Sequence, residues 1–283
     1  MPVFEQKRGR KPPPAEARPF NKMLATGSFA GHSQPMPDQN SQRLDQLLVT
    51  LGLFASRSRA RDAVARGTVK VAGKVVTKAG AVFGPDAAIE IDDPAQDYVS
   101  RAALKLVAVL DHFGLDPAGR HCLDVGASTG GFTEVLLERG AAHVTAIDVG
   151  HGQMHPRISA DPRVTNIEGL NARNLVAEDI GELVDFIVSD VSFISLKLAL
   201  APALDIAEPG ALAAILVKPQ FEAGREAIGK GGLLKDPASG PDVAAELERW
   251  FTEDMGWKSF GLIPSPISGG DGNQEFLLAG TKA

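Results

Sequence analysis

The sequence predicts an α/β protein built on a Rossmann-like, mostly parallel, seven-stranded sheet, with a small α+β domain in front of it. Residues 121–150 read as an apolar strand, a loop of small residues, a helix and a second apolar strand, which is the first half of a βαβ unit. Two more apolar runs, within 183–196 and 211–222, are typical of buried strands. The first 78 residues differ from this body in charge and in pattern.

The charge of the chain is unevenly distributed. Residues 1–78 carry 14 Lys and Arg against 5 Asp and Glu, whereas residues 79–283 carry 15 basic and 30 acidic residues. A basic N-terminal third on an acidic body favours an appended module that binds a polyanion.

Composition also narrows the class of protein. Cys122 is the single cysteine, which excludes an intrachain disulfide and is typical of a reducing compartment. The sequence contains neither an apolar run of the roughly 20 residues that cross a bilayer nor a secretory h-region. His151 and His155 are four residues apart but lack further ligands at metal spacing. We therefore expect a cytoplasmic protein without a membrane or metal partner, and a monomer is favoured.

The N-terminal part begins with residues 1–40, which are polar, basic and rich in proline, and which predict a disordered tail. A domain is expected over 41–95. Leucines at one helical face predict a first helix that stops at Gly52. Ser56 has the residue type of an N-cap for a second, arginine-bearing helix that ends at Gly67 and is followed by short strands with glycine turns.

These segments resemble the S4 RNA-binding domain over about residues 43–92. The R-L-D start, S-R-S-R-A and G-T-V-x-V-x-G-K occur in that order. The resemblance implies binding of structured RNA, largely through phosphate and shape contacts. The basic residues expected to bind RNA are Arg43, Arg57, Arg59, Arg61, Arg66, Lys70 and Lys74. The alternative is that the arginines only solvate an exposed helix face.

Residues 96–99 form the expected linker, and residues 100–283 the larger domain. Its first element is a helix that Ser100 would cap and that carries Lys105 among apolar residues. The loop that follows the next strand has the pattern D-x-G-x-x-x-G-G, from Asp124 to Gly131. A nicotinamide-binding loop would instead have the spacing G-x-G-x-x-G.

The D-x-G-x-x-x-G-G pattern resembles motif I of class I S-adenosylmethionine (SAM) methyltransferases. The resemblance implies that Asp124 and the loop face the methionine part of SAM, that Asp148 faces the ribose, and that Asn171 contacts the adenine. The cofactor-binding residues expected on this basis are Asp124, Gly126, Ser128, Thr129, Gly130, Gly131, Asp148, Asn171 and Asp190.

Four charged residues, Lys105, Asp190, Lys218 and Glu275, lie in or beside apolar segments, where an unpaired charge is costly. We therefore expect them to meet at one edge of the sheet. A K-D-K-E set resembles the catalytic tetrad of SAM-dependent ribose 2′-O-methyltransferases. Together with L-V-K-P-Q-F-E and S-P-I-S-G-G-D-G-N-Q-E-F-L, it resembles the TlyA (hemolysin A) family of ribosomal RNA methyltransferases over about residues 43–280. The chain departs from that family at Ala102-Ala103, where glycines are common.

The resemblance implies methylation of a ribose hydroxyl, on cytidine in ribosomal RNA. Such a hydroxyl is a poor nucleophile, and a lysine accepts its proton only when neutral, against an unperturbed pKa of about 10.4. Burial and the nearby Lys105 favour the neutral amine of Lys218, whereas Asp190 and Glu275 oppose this and orient the amine. Lys218 is thus the expected general base, and Lys105 a tuning residue or a phosphate contact.

Other activities match the sequence less well. Enzymes that methylate base amines favour a [DN]-P-P-[YF] motif, and this chain has S-D-V-S-F at that place. Methylation of cytosine C5 needs a cysteine nucleophile, but the single cysteine, Cys122, is at the start of a buried strand and is most simply a core residue. Two alternatives remain. One is a non-catalytic RNA-binding protein with a methyltransferase-like body, and the other is a membrane-active hemolysin.

Overall fold

The computed structural model describes residues 41–181 and 183–283 of the chain. Its contacts divide into two compact units, of which the first ends at Asp93 and the second begins at Pro94. The sequence places the domain boundary two residues later, at residue 95. The predicted tail over residues 1–40 lies outside the described residues.

The N-terminal unit packs two helices against short antiparallel strands. Its elements in chain order are β1 (Gln42–Arg43), α1 (Leu44–Thr50), α2 (Arg57–Ala65), β2 (Val69–Val71), β3 (Lys74–Val75), β4 (Val82–Phe83) and β5 (Ile89–Ile91). Strands β3, β2 and β5 form one antiparallel sheet, and β1 pairs with β4. This arrangement confirms the predicted α+β class.

Both predicted helices of this unit are present. The hydroxyl of Ser56 accepts a hydrogen bond from the backbone N–H of Arg59 at 3.3 Å, and Ser56 is the N-cap of α2. Ala60, Ala63 and Val64 are fully buried against the leucines of α1. The apolar periodicity therefore predicts correctly which face of α2 packs and which face carries arginine.

The C-terminal unit alternates strands and helices. Its elements are α3 (Ala103–Phe113), β6 (His121–Val125), α4 (Gly131–Glu138), β7 (His143–Asp148), α5 (Pro156–Ser159), β8 (Val164–Glu168), α6 (Ala177–Ile180), β9 (Phe186–Ser189), α7 (Leu196–Ala199), α8 (Ala201–Ile206), β10 (Leu212–Val217), α9 (Gly240–Arg249), β11 (Trp257–Pro264) and β12 (Phe276–Lys282). The helix α9 continues as a π-turn over Trp250–Asp254.

These strands form the predicted seven-stranded sheet in the order β11-β12-β10-β9-β6-β7-β8. The five strands from β10 to β8 are parallel, and β12 is antiparallel to both of its neighbours. Helices α3 and α4 cover one face, and α8 and α9 cover the other. The order reverses between β6 and β9, which is where doubly wound folds bind their ligands.

The register of the sheet brings the ends of four segments together. Val125 at the end of β6 pairs with Ser189 at the end of β9, so the glycine loop begins beside Asp190. Val217 at the end of β10 pairs with Phe276 at the start of β12. Lys218 and Glu275 therefore leave the sheet at the same edge, although they are 57 positions apart in the chain.

One local prediction is wrong. Ser100 does not cap α3, which begins only at Ala103; instead its hydroxyl accepts a hydrogen bond from Ala102 N–H at 3.2 Å. The chain before α3 forms tight turns, because the N–H groups of Ala103, Leu104 and Lys105 each donate to the carbonyl three residues earlier. The connection after β7 contains the short helix α5, for which His155 is the N-cap.

Candidate active site

A cavity of about 860 Å³ opens at the carboxyl edge of the sheet in the C-terminal unit. Its walls come from the start of α3 and from the loops that follow β6, β9 and β10, together with the segment that leads into β12. This volume is within the range of small-molecule and cofactor sites in proteins. All four predicted catalytic residues line it.

The first charged pair consists of Lys218 and Asp190. The Nζ of Lys218 is 2.5 Å from Oδ1 of Asp190, and it donates to the Ser192 hydroxyl at 2.6 Å and to the Asp190 carbonyl at 3.4 Å. Three acceptors thus surround the three N–H donors of an ammonium group. These three acceptors all belong to the short segment after β9, so they fix the position of the amine although a lysine side chain is flexible.

Lys105 and Glu275 form the second pair. Their Nζ and Oε2 atoms are 2.6 Å apart, and both side chains are almost completely buried. Burial raises the pKa of Glu275 above its ordinary value, while the charges of Lys105 and Lys218 oppose this rise. A buried carboxylate without these cations would be strongly disfavoured.

The two pairs lie close enough to influence one another, since both Lys218 and Asp190 perturb Glu275 electrostatically. The structure therefore brings together the four residues that are far apart in the sequence. Their formal charges sum to zero. This arrangement can hold an amine beside a hydroxyl group of a ligand, and the amine can remove the proton of that hydroxyl. The catalytic roles of the four individual residues remain predictions.

The loop after β6 lines the neighbouring part of the cavity with Gly126, Ser128, Thr129 and Gly131. Gly126 has φ +84°, and a Cβ there would lie 2.9 Å from Cγ1 of Val191. The loop therefore needs glycine at this position, both for its backbone conformation and for its contact with the segment after Asp190.

Asp148 holds this loop in place. One of its carboxylate oxygens accepts the N–H of Ser128 at 2.8 Å, and the other accepts the N–H of Gly150 at 2.7 Å. Neither Asp148 nor Gly130 lines the cavity. Each carboxylate oxygen can accept a second hydrogen bond, so the contact of Asp148 with a ribose remains a prediction.

Asp124 is fully buried under the loop. Its Oδ2 accepts a hydrogen bond from the hydroxyl of Thr133 at 2.7 Å, and burial raises its pKa to about 7. Asn171 is exposed outside the cavity, and its side chain accepts the N–H of Arg173 at 3.1 Å. The predicted contacts of these two residues with a ligand therefore remain predictions.

Ser192, Phe193 and Gln220 are among the residues of the cavity wall that the sequence analysis did not assign to the site. Phe193 is 90% exposed, has a left-handed backbone with φ +65°, and its ring centroid is 5.2 Å from that of Phe221. A left-handed backbone is uncommon for a bulky residue, and such strained residues cluster at functional sites. The sequence signal was weak, namely an aromatic residue soon after a strand-end acid.

The basic residues of the N-terminal unit differ in their exposure and in their ion pairs. Arg43 and Arg57 are half exposed and both pair with the buried Asp45, each at 3.0 Å. Arg61 and Lys74 are exposed, and Arg59 and Lys70 are partly so. These six side chains can present positive charge to a polyanion.

Arg66 differs from the other basic residues. Its guanidinium binds both oxygens of Asp93, at 2.7 and 2.8 Å, as well as Asp62 at 2.9 Å, and its side chain is largely buried. The geometry gives Arg66 a structural role that joins α2 to the end of the unit. Its contact with RNA remains a prediction that this geometry does not favour.

Other candidate groups have simpler explanations. Cys122 is buried in the core, and burial raises the pKa of its thiol. Within the residues that the structure describes, no cluster of three or more His, Cys, Asp or Glu side chains is placed to hold a metal ion. The helices of that same part of the chain are all too short or too polar to span a membrane.

The doubly wound sheet and the cavity at its switch point define the class of the C-terminal unit. The family model described as FtsJ-like methyltransferase matches residues 98–282, and the S4 domain model matches residues 42–89. The chain is therefore a methyltransferase with an N-terminal S4 domain, as the sequence predicts.

Comparison with individual relatives identifies the family of the chain more narrowly. It is 45% identical to the 16S/23S rRNA (cytidine-2'-O)-methyltransferase TlyA of Mycobacterium tuberculosis, over 83% of this chain and 88% of the relative. It is 41% identical to Hemolysin A of Brachyspira hyodysenteriae, over 83% of this chain and 98% of the relative. A solved structure named as a hemolysin, from Streptococcus thermophilus, matches with a TM-score of 0.67 at 38% identity, covering 87% and 90% of the two chains. The chain belongs to the TlyA (hemolysin A) family of FtsJ-like methyltransferases.

Proposed function

We propose that this protein transfers the methyl group of SAM to the 2′-hydroxyl of a cytidine in ribosomal RNA. The observation that carries the proposal is the position of the Lys218 amine, held by Asp190 and Ser192 in a cavity beside the loop Gly126–Gly131. The substrate is assigned by analogy with the TlyA relative, whose printed name describes cytidine-2'-O-methylation of 16S and 23S rRNA.

The residues of the cavity are compatible with SAM. The loop Gly126–Gly131 would hold its methionine part, and Asp148, behind the loop, keeps the loop backbone in position. The sulfonium methyl supplies the electrophile. Asp124, Asn171 and Asp190 remain candidate cofactor contacts, of which Asp190 alone lies in the cavity wall.

Lys218 is the proposed general base. The neutral amine takes the proton of the 2′-hydroxyl as the ribose oxygen forms its new bond to the methyl carbon and the carbon–sulfur bond breaks. Asp190 and Ser192 fix the amine, and the buried Glu275 is held by Lys105. Positioning of the two reactants contributes most of the remaining acceleration.

The exposed Phe193 supports an RNA substrate for this cavity. An aromatic face at the mouth of a site can stack with a base irrespective of its hydrogen-bonding pattern. The S4 domain and its basic side chains are consistent with the same class of substrate. A non-catalytic RNA-binding role would not require the buried Lys105–Glu275 ion pair in the cavity wall, and a buried ion pair is expensive to maintain.

The test is single-turnover methylation of ribosomal subunits or rRNA by Lys218→Ala, followed by mapping of 2′-O-methyl groups. We expect a rate reduced by roughly 10²–10⁴-fold, which is the usual share of general-base catalysis. Lys197→Ala, at an exposed lysine of α7, is the matched control and should methylate normally. A near-normal rate for Lys218→Ala with intact SAM binding would remove the base assignment. Failure of the wild-type protein to methylate rRNA would contradict the proposed function itself.

A further inference from the structure

Asp271 is an exposed acidic residue in the cavity wall that the proposed reaction does not use. Its Oδ2 accepts a hydrogen bond from Nε2 of Gln220 at 2.9 Å, and its Oδ1 accepts the backbone N–H of Asn273 at 3.0 Å. Both of these neighbours are buried, so they hold the carboxylate in place. The two oxygens of a carboxylate offer about four acceptor sites, and the remaining sites are available to a ligand in the cavity.

Asp271 lies close to the predicted catalytic residues. Its Oδ1 and the Oε1 of Glu275 are 2.7 and 2.9 Å from the position that a Cβ on Gly269 would take, so the two carboxylates are neighbours. Asp271 precedes β12, which is three strands from the strand before the loop Gly126–Gly131, or roughly 14 Å at the usual strand spacing. The carboxylate is therefore on the side of the reacting ribose, away from the loop proposed for SAM.

The charge of Asp271 limits which group of an RNA substrate it can bind. A carboxylate accepts hydrogen bonds and repels phosphates, so its partner must be a hydroxyl or an N–H group. In the proposed reaction Lys218 takes the 2′-hydroxyl of the target nucleotide. The base of that nucleotide is expected to stack on Phe193, whose ring contacts Phe221, the residue after Gln220. An N–H group on the edge of this base is the donor that remains for Asp271.

We propose that Asp271 accepts a hydrogen bond from the 4-amino group of the target cytosine and so selects cytidine over uridine. Acidic side chains accept from this amine in protein–DNA complexes. Uracil presents a carbonyl oxygen in place of the amine, and that oxygen would face the carboxylate without a hydrogen between them. A site built to bond a donor rejects analogues that lack it more strongly than an apolar pocket does. The inference rests on the proposed function and adds a specificity residue to it.

The experiment uses the full chain and an rRNA segment around the mapped nucleotide, with cytidine, uridine or the pyrimidin-2-one riboside, which lacks the amine, at that position. We expect the wild type to methylate cytidine at least about 10-fold faster than either analogue. In Asp271→Ala, which loses the acceptor, the cytidine rate should fall to within about 3-fold of the pyrimidin-2-one rate. Asp254→Ala, at an exposed aspartate of the π-turn after α9, is the matched control and should keep the wild-type ratios.

A second variant exchanges the functional group and keeps the proposal falsifiable if Asp271→Ala folds poorly. In Asp271→Asn the new NH₂ group can donate to Oε1 of Gln220 once the Gln220 amide turns over, and its other hydrogen is available to the carbonyl oxygen of uracil. The uridine rate should therefore rise relative to the cytidine rate.

Equal rates on cytidine and pyrimidin-2-one in the wild type, or unchanged ratios in both Asp271 variants, would overturn the inference. No methylation of any of the three RNAs by the wild type would overturn the proposed function and this inference with it.

Discussion

At the scale of single residues, burial changes the chemistry of the Asp124 carboxyl. The group is completely buried under the glycine loop, accepts one hydrogen bond from Thr133, and has a pKa raised to about 7 from an ordinary value of 3.8. The folded protein therefore keeps a proton on Asp124 at pH values at which the unfolded chain has already lost it. This difference couples the stability of the loop region to pH.

We expect the free energy of unfolding to fall as pH rises from about 4 to about 7, because the folded state binds the extra proton in that window. Asp124 contributes at most about 1.4 kcal/mol per pH unit. Asp124→Asn keeps an acceptor for Thr133 and removes this contribution, so it should gain stability relative to the wild type between pH 5 and pH 7. Denaturant unfolding at several pH values measures this. Asp205→Asn, at an exposed position of α8, should follow the wild-type profile. Parallel profiles for Asp124→Asn and wild type would show that Asp124 is ionised throughout.

Individual residues also show why the sequence predicts some members of the site and not others. Lys218, Asp190 and Glu275 border apolar strands, where a charge is conspicuous in the sequence because its burial without a partner is costly. Ser192 and Gln220 are uncharged polar residues, which occur in every loop and do not stand out in the sequence. Only their distances to Lys218 and Asp271 identify them.

At the scale of elements, Glu222 joins the two segments that carry the catalytic pair. Its Oε2 accepts the hydroxyl of Ser195 at 2.6 Å, and its Oε1 accepts the N–H of Leu196 at 2.7 Å. Glu222 follows the turn after Lys218, whereas Ser195 follows Asp190 and Ser192 and caps α7. One carboxylate therefore keeps the two cavity segments in register.

We expect Glu222→Ala to impair catalysis more than substrate binding. The substitution removes the acceptor of both the Ser195 hydroxyl and the Leu196 N–H, at a cost of about 1–3 kcal/mol in stability. The maximum rate should fall at least several-fold, with little change in the affinity for SAM, because Lys218 and Asp190 lose their alignment. Glu226→Ala, at an exposed glutamate of the same loop, should leave both quantities unchanged. A Glu222→Ala enzyme of normal maximum rate and lowered melting temperature would show that Glu222 has only a structural role.

The elements also differ in how well their sequence defines them. Helices α1 and α2 have clear apolar periodicity and are predicted correctly. The start of α3 is not, because the residues before it form tight turns that the pattern of side chains does not distinguish from the first turn of a helix. The four-residue α5 is too short for periodicity to reveal it.

At the scale of the whole molecule, opposite charges are separated between the basic N-terminal third and the acidic body. Sequence counting is enough to reveal this separation, but it does not show which cations are available. Arg66 counts as one basic residue among seven candidates, yet two carboxylates hold its guanidinium. The structure therefore divides the candidates into those that face solvent and one that stabilises the unit.

This division predicts different outcomes for two kinds of substitution. Arg61→Ala, Lys70→Ala and Lys74→Ala should each weaken rRNA binding and reduce the slope of log affinity against log salt by roughly 0.7–0.9 if each side chain neutralises one phosphate. Arg66→Ala removes the cation that contacts both Asp93 and Asp62, and should chiefly lower the melting temperature. Binding titrations at several salt concentrations, with melting curves, separate the two effects. A large change of slope in a fully stable Arg66→Ala protein would assign that arginine to RNA.

The exposure of the four charged groups in the cavity has a consequence for repeated turnover. In the proposed reaction each cycle leaves Lys218 with one additional proton, and the next cycle cannot begin until this proton reaches water. The side chain of Asp190 is 18% exposed, against 10% for Lys218, 6% for Lys105 and 3% for Glu275, and it touches the amine directly. Ser192 also touches the amine and is exposed, so the proton can reach water through these two neighbours, and the recovery of the enzyme between cycles depends on side chains at the rim of the cavity.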